Sequence, residues 1–266
     1  MTHAPLDTKS GTQQIDGLVY AQPSLEGHVV PLGVDLFLPP SEARPAPLLV
    51  WLGPDILSNS ATKTVGTKVL ADFLTRHGVA LAVPKVRVNA TRADVPNTLI
   101  ERLARIEGKR DKSVHADLST LPAMAATQDF CALLTWADGK GKEVGLTGRT
   151  VLAGASTGAG LAFNAAVVAP HIGLRRPEPA GILSYSGTCA WPSLYAPGQL
   201  RVFALHNPSD RRMPIEPIRE MAQNDPMFEL IESIEQVHGS LGLWPQETAE
   251  DACTRILTRV KQWCAR

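Results

Sequence analysis

Gly154-Ala155-Ser156-Thr157-Gly158 brings together the residue types that a nucleophilic serine needs. A hydroxyl attacks a carbonyl carbon efficiently when it is held clear of neighbouring backbone and has donors beside it for the charge that develops. Glycines two positions before and after Ser156 remove the Cβ atoms that would obstruct a sharp turn from strand to helix. The apolar run Thr150-Val151-Leu152-Ala153 ahead of it reads as a buried strand, and Ala159-Gly160-Leu161-Ala162-Phe163 behind it as a closely packed helix. Free N–H groups at the start of such a helix stabilise an anion formed next to the serine. The spacing predicts that Ser156 is a nucleophile, with the Thr157 amide as one oxyanion donor.

Two other readings of these glycines are open. Gly154, Gly158 and Gly160 also fit a G-x-x-x-G-x-G dinucleotide loop that resembles short-chain dehydrogenases. That loop follows the first strand of a sheet, whereas here about half the chain precedes it. The Tyr-x-x-x-Lys of those enzymes is missing, since Tyr185 is followed at plus four by Cys189 and Tyr195 by Gln199. The other alternative is a glycine-rich turn with no chemistry.

A nucleophilic serine needs a base, and the base needs an orienting acid. Imidazole takes the hydroxyl proton during attack and returns it to the leaving group, while a carboxylate fixes the tautomer and steadies the imidazolium. His171, His206 and His238 follow Ser156. His171 falls at the end of the expected elbow helix, which suits a structural or exposed histidine, and leaves His206 and His238.

Leu205-His206-Asn207-Pro208-Ser209-Asp210, with Met213-Pro214 behind it, resembles the H-G-x-x-D…V-P segment of α/β-hydrolase esterases. His238-Gly239 is similar to the late H-G that carries their base, just before the final helix. The stretch from Leu121-Pro122 through Trp136 and Gly145-Leu146 to the elbow resembles esterases related to hormone-sensitive lipase. The resemblance covers residues 30–264. It implies an α/β-hydrolase fold, a mostly parallel central sheet with helices on both faces, and the chain order serine, acid, histidine. It assigns Ser156 as nucleophile, Asp210 as acid and His238 as base, with His206 standing on the wrong side of the acid. The implied activity is hydrolysis of a carboxylic ester of a small or medium substrate through an acyl-enzyme, with no metal or organic cofactor.

One feature departs from the pattern. These esterases carry H-G-G or H-G-G-G after the strand equivalent to Leu48–Leu52, and this chain has Gly53-Pro54-Asp55-Ile56. Proline has no N–H to donate, so the second oxyanion donor is expected from Asp55 or Ile56. An inward Asp55 carboxylate would oppose the developing oxyanion, and an outward one would cap the next turn. Trp191 and Trp244 are candidates to wall a substrate pocket, with core packing the commoner fate of tryptophan. Thioesters, amides and peptides yield to the same machinery, and a non-catalytic hydrolase-like binding protein is the contrasting class.

The elements that must hold these groups are legible as alternating strands and helices. Val30, Leu32, Val34, Leu36 and Leu38 alternate as in a half-buried antiparallel strand. Leu48–Leu52 and Val79–Val83 are wholly apolar, as are most of Ala180–Tyr185 and Val202–Leu205, which suits buried parallel strands. Phe228–Ile231 is a weaker strand. Helices are predicted over 67–77 (ending at Gly78), 122–136 and 247–263. Residues 89–120 are dense in charge, yet Leu99, Ile100, Leu103 and Ile106 recur at helical spacing after Asn97, a candidate N-cap. This insertion could be a cap or lid, a contact with a second copy in a homo-oligomer, or a solvated excursion.

Lys+Arg and Asp+Glu both number 26 in 266 residues, so the formal net charge is +0 and nothing favours nucleic acid or an anionic membrane. That length supports one domain with a substantial core. The opening residues 1–7 are polar and show no secretory pattern, and no run approaches the roughly 20 apolar residues of a membrane span. Cys131, Cys189, Cys253 and Cys264 form no C-x-x-C pair and are expected to be free thiols, mostly buried, in a cytoplasmic protein.

Overall fold

The structure, a computed structural model, describes residues 6–7, 12–54, 56–57, 65–114, 116–234 and 238–265. Its short apolar runs become strands because each is too brief to bury as a helix and lies between turn-forming residues. The strands in chain order are β1 (Leu6–Asp7), β2 (Gln13–Ala21), β3 (Ser24–Leu25), β4 (His28–Val29), β5 (Leu32–Leu38), β6 (Ala46–Leu52), β7 (Ala80–Pro84), β8 (Leu146–Ala155), β9 (Gly181–Tyr185), β10 (Val202–His206) and β11 (Phe228–Glu232). β3 and β4 form a small hairpin, and the other nine make one sheet in the order β1-β2-β5-β7-β6-β8-β9-β10-β11. From β7 to β11 every pairing is parallel, and β1, β2 and β5 add antiparallel pairings at one edge.

Helices cover both faces. α1 (Val65–Arg76) and α7 (Ala249–Cys264) pack Leu70, Leu74, Ile256 and Val260 against one side. α2 (Asn97–Ile106), α3 (Leu121–Asp138), α4 (Thr157–Phe163) and α6 (Glu216–Gln223) contribute Leu99, Phe130, Leu161 and Ile218 to the core on the other. α4 runs through a π turn at Asn164–Val168 into α5 (Ala169–His171). The Arg176 guanidinium donates to the Ala165 and Ala166 carbonyls there, filling acceptors that a widened turn leaves over.

Two expectations change. β5 is antiparallel to both neighbours, but all of Leu32–Leu38 is buried rather than one face of it. Even Asp35 is enclosed, and its carboxylate accepts the Gly17 amide at 2.9 Å. Asn97 is the first residue of α2 and not its N-cap, a position taken by Pro96 with no side-chain cap.

The charged insertion is firmly packed. Arg87 and Asp129, each 2% exposed in the side chain, pair at 2.7 Å at its root. Arg87 also donates to the Asp94 and Ala125 carbonyls. Further along, Arg102 donates to the Ile172 carbonyl, the Asp111 amide to that of Ala190, and Asn164 to that of Leu118. Among the described residues no helix is long and apolar enough to cross a membrane. All four cysteines are free, three of them buried and Cys264 half-buried.

Candidate active site

The parallel strands end together, so residues one step beyond them gather at the C-terminal edge of the sheet, where such folds place their chemistry. Leu52 lies opposite Gly154, and Ala155 opposite Tyr185, which sets Gly53, Ser156 and Ser186 along that edge. Ser156 turns the chain with φ 52 and ψ −123, a left-handed backbone that costs a side-chain-bearing residue about 1–3 kcal/mol. Its amide is held by the Tyr185 carbonyl at 2.9 Å, and its carbonyl accepts the Gly160 amide at 3.1 Å. The flanking glycines are sterically required. A Cβ on Gly154 would sit 2.6 Å from the Gly158 carbonyl carbon, and one on Gly158 would sit 2.1 Å from the Leu52 oxygen.

Ser156, His238 and Asp210 come together from three segments. The Ser156 Oγ lies 2.7 Å from His238 Nε2, and His238 Nδ1 lies 2.6 Å from Asp210 Oδ2. The other Asp210 oxygen accepts the Arg212 and Met213 amides at 2.8 and 3.2 Å. Burial pushes the Asp210 carboxyl up, but the His238 bond and those two amides outweigh it and hold the group below the ordinary carboxylate range. Asp210 is therefore an anion set to orient an imidazole with its proton on Nδ1, leaving Nε2 to accept from the serine.

His206 ends β10 fully buried, its Nε2 2.9 Å from the Met213 carbonyl and 3.9 Å from Asp210 Oδ2. It braces the loop that carries the acid. Burial lowers its basicity, partly offset by the Met213 carbonyl and Asp210. His171 is exposed, with Nε2 3.3 Å from the Leu194 carbonyl.

Thr157 opens α4, so its N–H is one that the helix cannot use. Upstream, the Ile56 amide donates to the Gly53 carbonyl at 3.3 Å and is engaged in a tight turn. Asp55 lies outside the described residues. Trp191 is wholly buried and donates its indole N–H to the Ile106 carbonyl at 3.1 Å, so it ties α2 to the body. Trp244 is 46% exposed and, with Val69, Leu70 and Leu241, borders an apolar groove of about 270 Å³.

Other residues that support the site have no motif to announce them. Arg255 on α7 donates to the Leu241 carbonyl at 2.7 Å and pairs with Glu247, which in turn accepts the Leu243 amide. Ser233 bonds the His206 carbonyl through its amide and the Leu243 carbonyl through its hydroxyl. These contacts tie the loop bearing His238 to α7 and to β10. Among the described residues no group of three or more His, Cys, Asp or Glu is placed to hold a metal ion.

No protein-family model and no curated protein matches the sequence. Solved structures do. A bacterial heroin esterase superposes with a TM-score of 0.66 at 15% identity, covering 96% of this chain and 86% of that one. A thermostable esterase from Pseudomonas putida gives 0.63 at 14%, covering 97% and 85%. Dienelactone hydrolase from Anabaena variabilis gives 0.56 at 16%, covering 95% and 97%. Identities this low speak to architecture. Together with a parallel sheet whose serine elbow sits at its C-terminal edge, they establish that this chain has the α/β-hydrolase fold.

Proposed function

We propose that this protein is a serine hydrolase that cleaves a carboxylic ester of a small or medium substrate through an acyl-enzyme. The observation that carries the reading is the unbroken relay from Ser156 Oγ through His238 to Asp210, at 2.7 and 2.6 Å, built on a strained elbow. Ser156 Oγ attacks the carbonyl carbon as His238 Nε2 takes its proton, and the carbonyl oxygen becomes an oxyanion. The Thr157 amide is one donor to that oxyanion. The upstream donor is an amide of the loop after β6, Asp55 or Ile56, of which Ile56 also donates to the Gly53 carbonyl at 3.3 Å. Collapse of the intermediate expels the alcohol, which leaves with the proton from Nε2. Water then enters by the same base, releases the acid and restores Ser156. The structural likeness to esterases supports the ester class, and thioester or amide cleavage would use the same groups.

No metal or organic cofactor enters this chemistry. Short p-nitrophenyl esters should therefore turn over without additives and equally well in EDTA, and Ser156→Ala should abolish turnover. A folded wild-type protein inert toward a broad ester panel would favour a hydrolase-like binding protein instead. The altered Gly53–Ile56 loop is the feature that favours that reading.

A further inference from the structure

A second concave surface adjoins the same acid. An open basin of about 410 Å³ lies between residues 110–114 of the insertion, with Ala116, and the loop 210–214 after β10. Arg110, Lys112, Arg211 and Arg212 line it, with Asp210 in its wall. In a chain of formal net charge +0, four cations around one hollow are a concentration of positive potential. Arg110 is paired with Glu107 at 2.7 Å, but Lys112, Arg211 and Arg212 have no carboxylate partner among the described residues. Among the described lining residues the only carboxylate is that of Asp210, whose side chain is 2% exposed and whose oxygens are taken up by His238 and two amides. Among the described residues, Lys112, Arg211 and Arg212 therefore meet no carboxylate of the protein's own.

Both walls are held in place before anything binds. The Arg110 guanidinium donates to the Val114 carbonyl at 3.1 Å, and the Asp111 amide donates to the Ala190 carbonyl at 2.8 Å, which fixes the insertion side. The bonds from the Arg212 and Met213 amides to Asp210 fix the other side, and these also position the acid of the relay. The basin and the relay thus share one loop and one residue, Asp210, which stands in the wall of the first and is the acid of the second.

We infer that this basin is the binding subsite for an anionic group, a carboxylate or phosphate, carried by the ester that Ser156 cleaves. The inference rests on the ester-hydrolase reading and narrows its substrate class to acidic esters. It also gives the insertion a task, because the segment supplies Arg110 and Lys112 to a site whose other half follows β10. Arginine suits the role through its planar fork of donors, which matches the two oxygens of a carboxylate.

The test compares matched ester pairs: mono-p-nitrophenyl glutarate with p-nitrophenyl pentanoate, where the anion is on the acyl arm, and 4-acetoxybenzoate with phenyl acetate, where it is on the leaving group. At low salt one of the two pairs should favour its anionic member by about tenfold or more in kcat/KM, a preference that about 1 M NaCl screens away. The double variant Lys112→Gln/Arg211→Gln should lower that anionic-to-neutral ratio by about tenfold, chiefly through KM, with the neutral ester of the pair reporting on folding in the same preparation. A ratio the double variant does not move overturns the subsite. Glutarate binding by calorimetry supplies a readout that needs no turnover. Binding to the wild type and not to the double variant upholds the basin even if every ester is inert, in which case only the hydrolase reading falls. Glutarate that changes kcat for p-nitrophenyl acetate, rather than competing with mono-p-nitrophenyl glutarate, would make the basin an effector site and overturn the substrate assignment.

Discussion

Two histidines stand close to Asp210, and their surroundings separate their roles. His238 touches both the serine and the acid, whereas His206 is sealed beneath the acid loop with its Nε2 on the Met213 carbonyl. His238→Ala should lower kcat by roughly 10⁴–10⁶-fold, and Asp210→Asn, which disturbs the tautomer, by about 10⁴-fold. His206→Gln should cost far less. A collapse on replacing His206 with His238→Ala near wild type would reverse the assignment. His206 should show itself in stability instead. Burial holds its imidazole below the ordinary value, so the unfolded chain takes up a proton at a pH where the folded chain resists it. Its stabilising share is complete above about pH 6.5, and drains as pH falls from there toward the folded value. His206→Gln removes that titration, so the drop in urea midpoint between about pH 7.5 and pH 5.5 should shrink. An unchanged drop would contradict the account. The elbow at Ser156 was legible from its flanking glycines taken together with the apolar strand before them and the small-residue helix after them, and the resemblance pointed to Asp210 and His238. Arg255, Glu247 and Ser233 were not legible, because no local spacing tells which carbonyl a distant side chain will reach.

At the scale of elements, the elbow is a steric device. α4 passes so close to the end of β6 that only hydrogen fits on Gly158, and Leu52 and Gly53 carbonyl oxygens occupy the space a methyl would need. Gly158→Ala should destabilise the fold by about 3 kcal/mol and lower activity, because the clash is with backbone that cannot rotate away. Gly53→Ala meets nothing within 4 Å and should cost under about 1 kcal/mol. Thermal melts of the two variants check the contrast, and equal melting temperatures would refute it. The largely apolar strands β6, β7, β9 and β10 were readable because burial on both faces leaves a nearly continuous apolar signature. β2 escaped notice for the opposite reason. Gln13, Gln14, Asp16 and Gly17 dilute its pattern, and its pairing with β5 shifts register twice. α6 is only eight residues, half of them polar, too short for periodicity to declare.

For the whole molecule, the sheet order brings the ends of β6, β8, β9 and β10 to one edge, and distant segments are tied to the body by buried contacts. Arg87 with Asp129 at the root of the insertion, and Trp191 with the Ile106 carbonyl further along, do this for residues 89–120. A solvated excursion was one of three readings open for that segment, and in the structure Leu99, Ile106, Val114 and Leu118 are buried. A lone sequence could not show this, since the pairing residues lie far apart along the chain and neither belongs to a motif. In the proposed hydrolase this architecture activates one serine, and the mass of the folded protein after treatment with a fluorophosphonate, followed by peptide mapping, reads that activation out. A single adduct is expected, located on the peptide containing Gly154 to Gly160 and absent from Ser156→Ala. A folded wild-type chain that stays unlabelled, or an adduct that persists in Ser156→Ala, would contradict it.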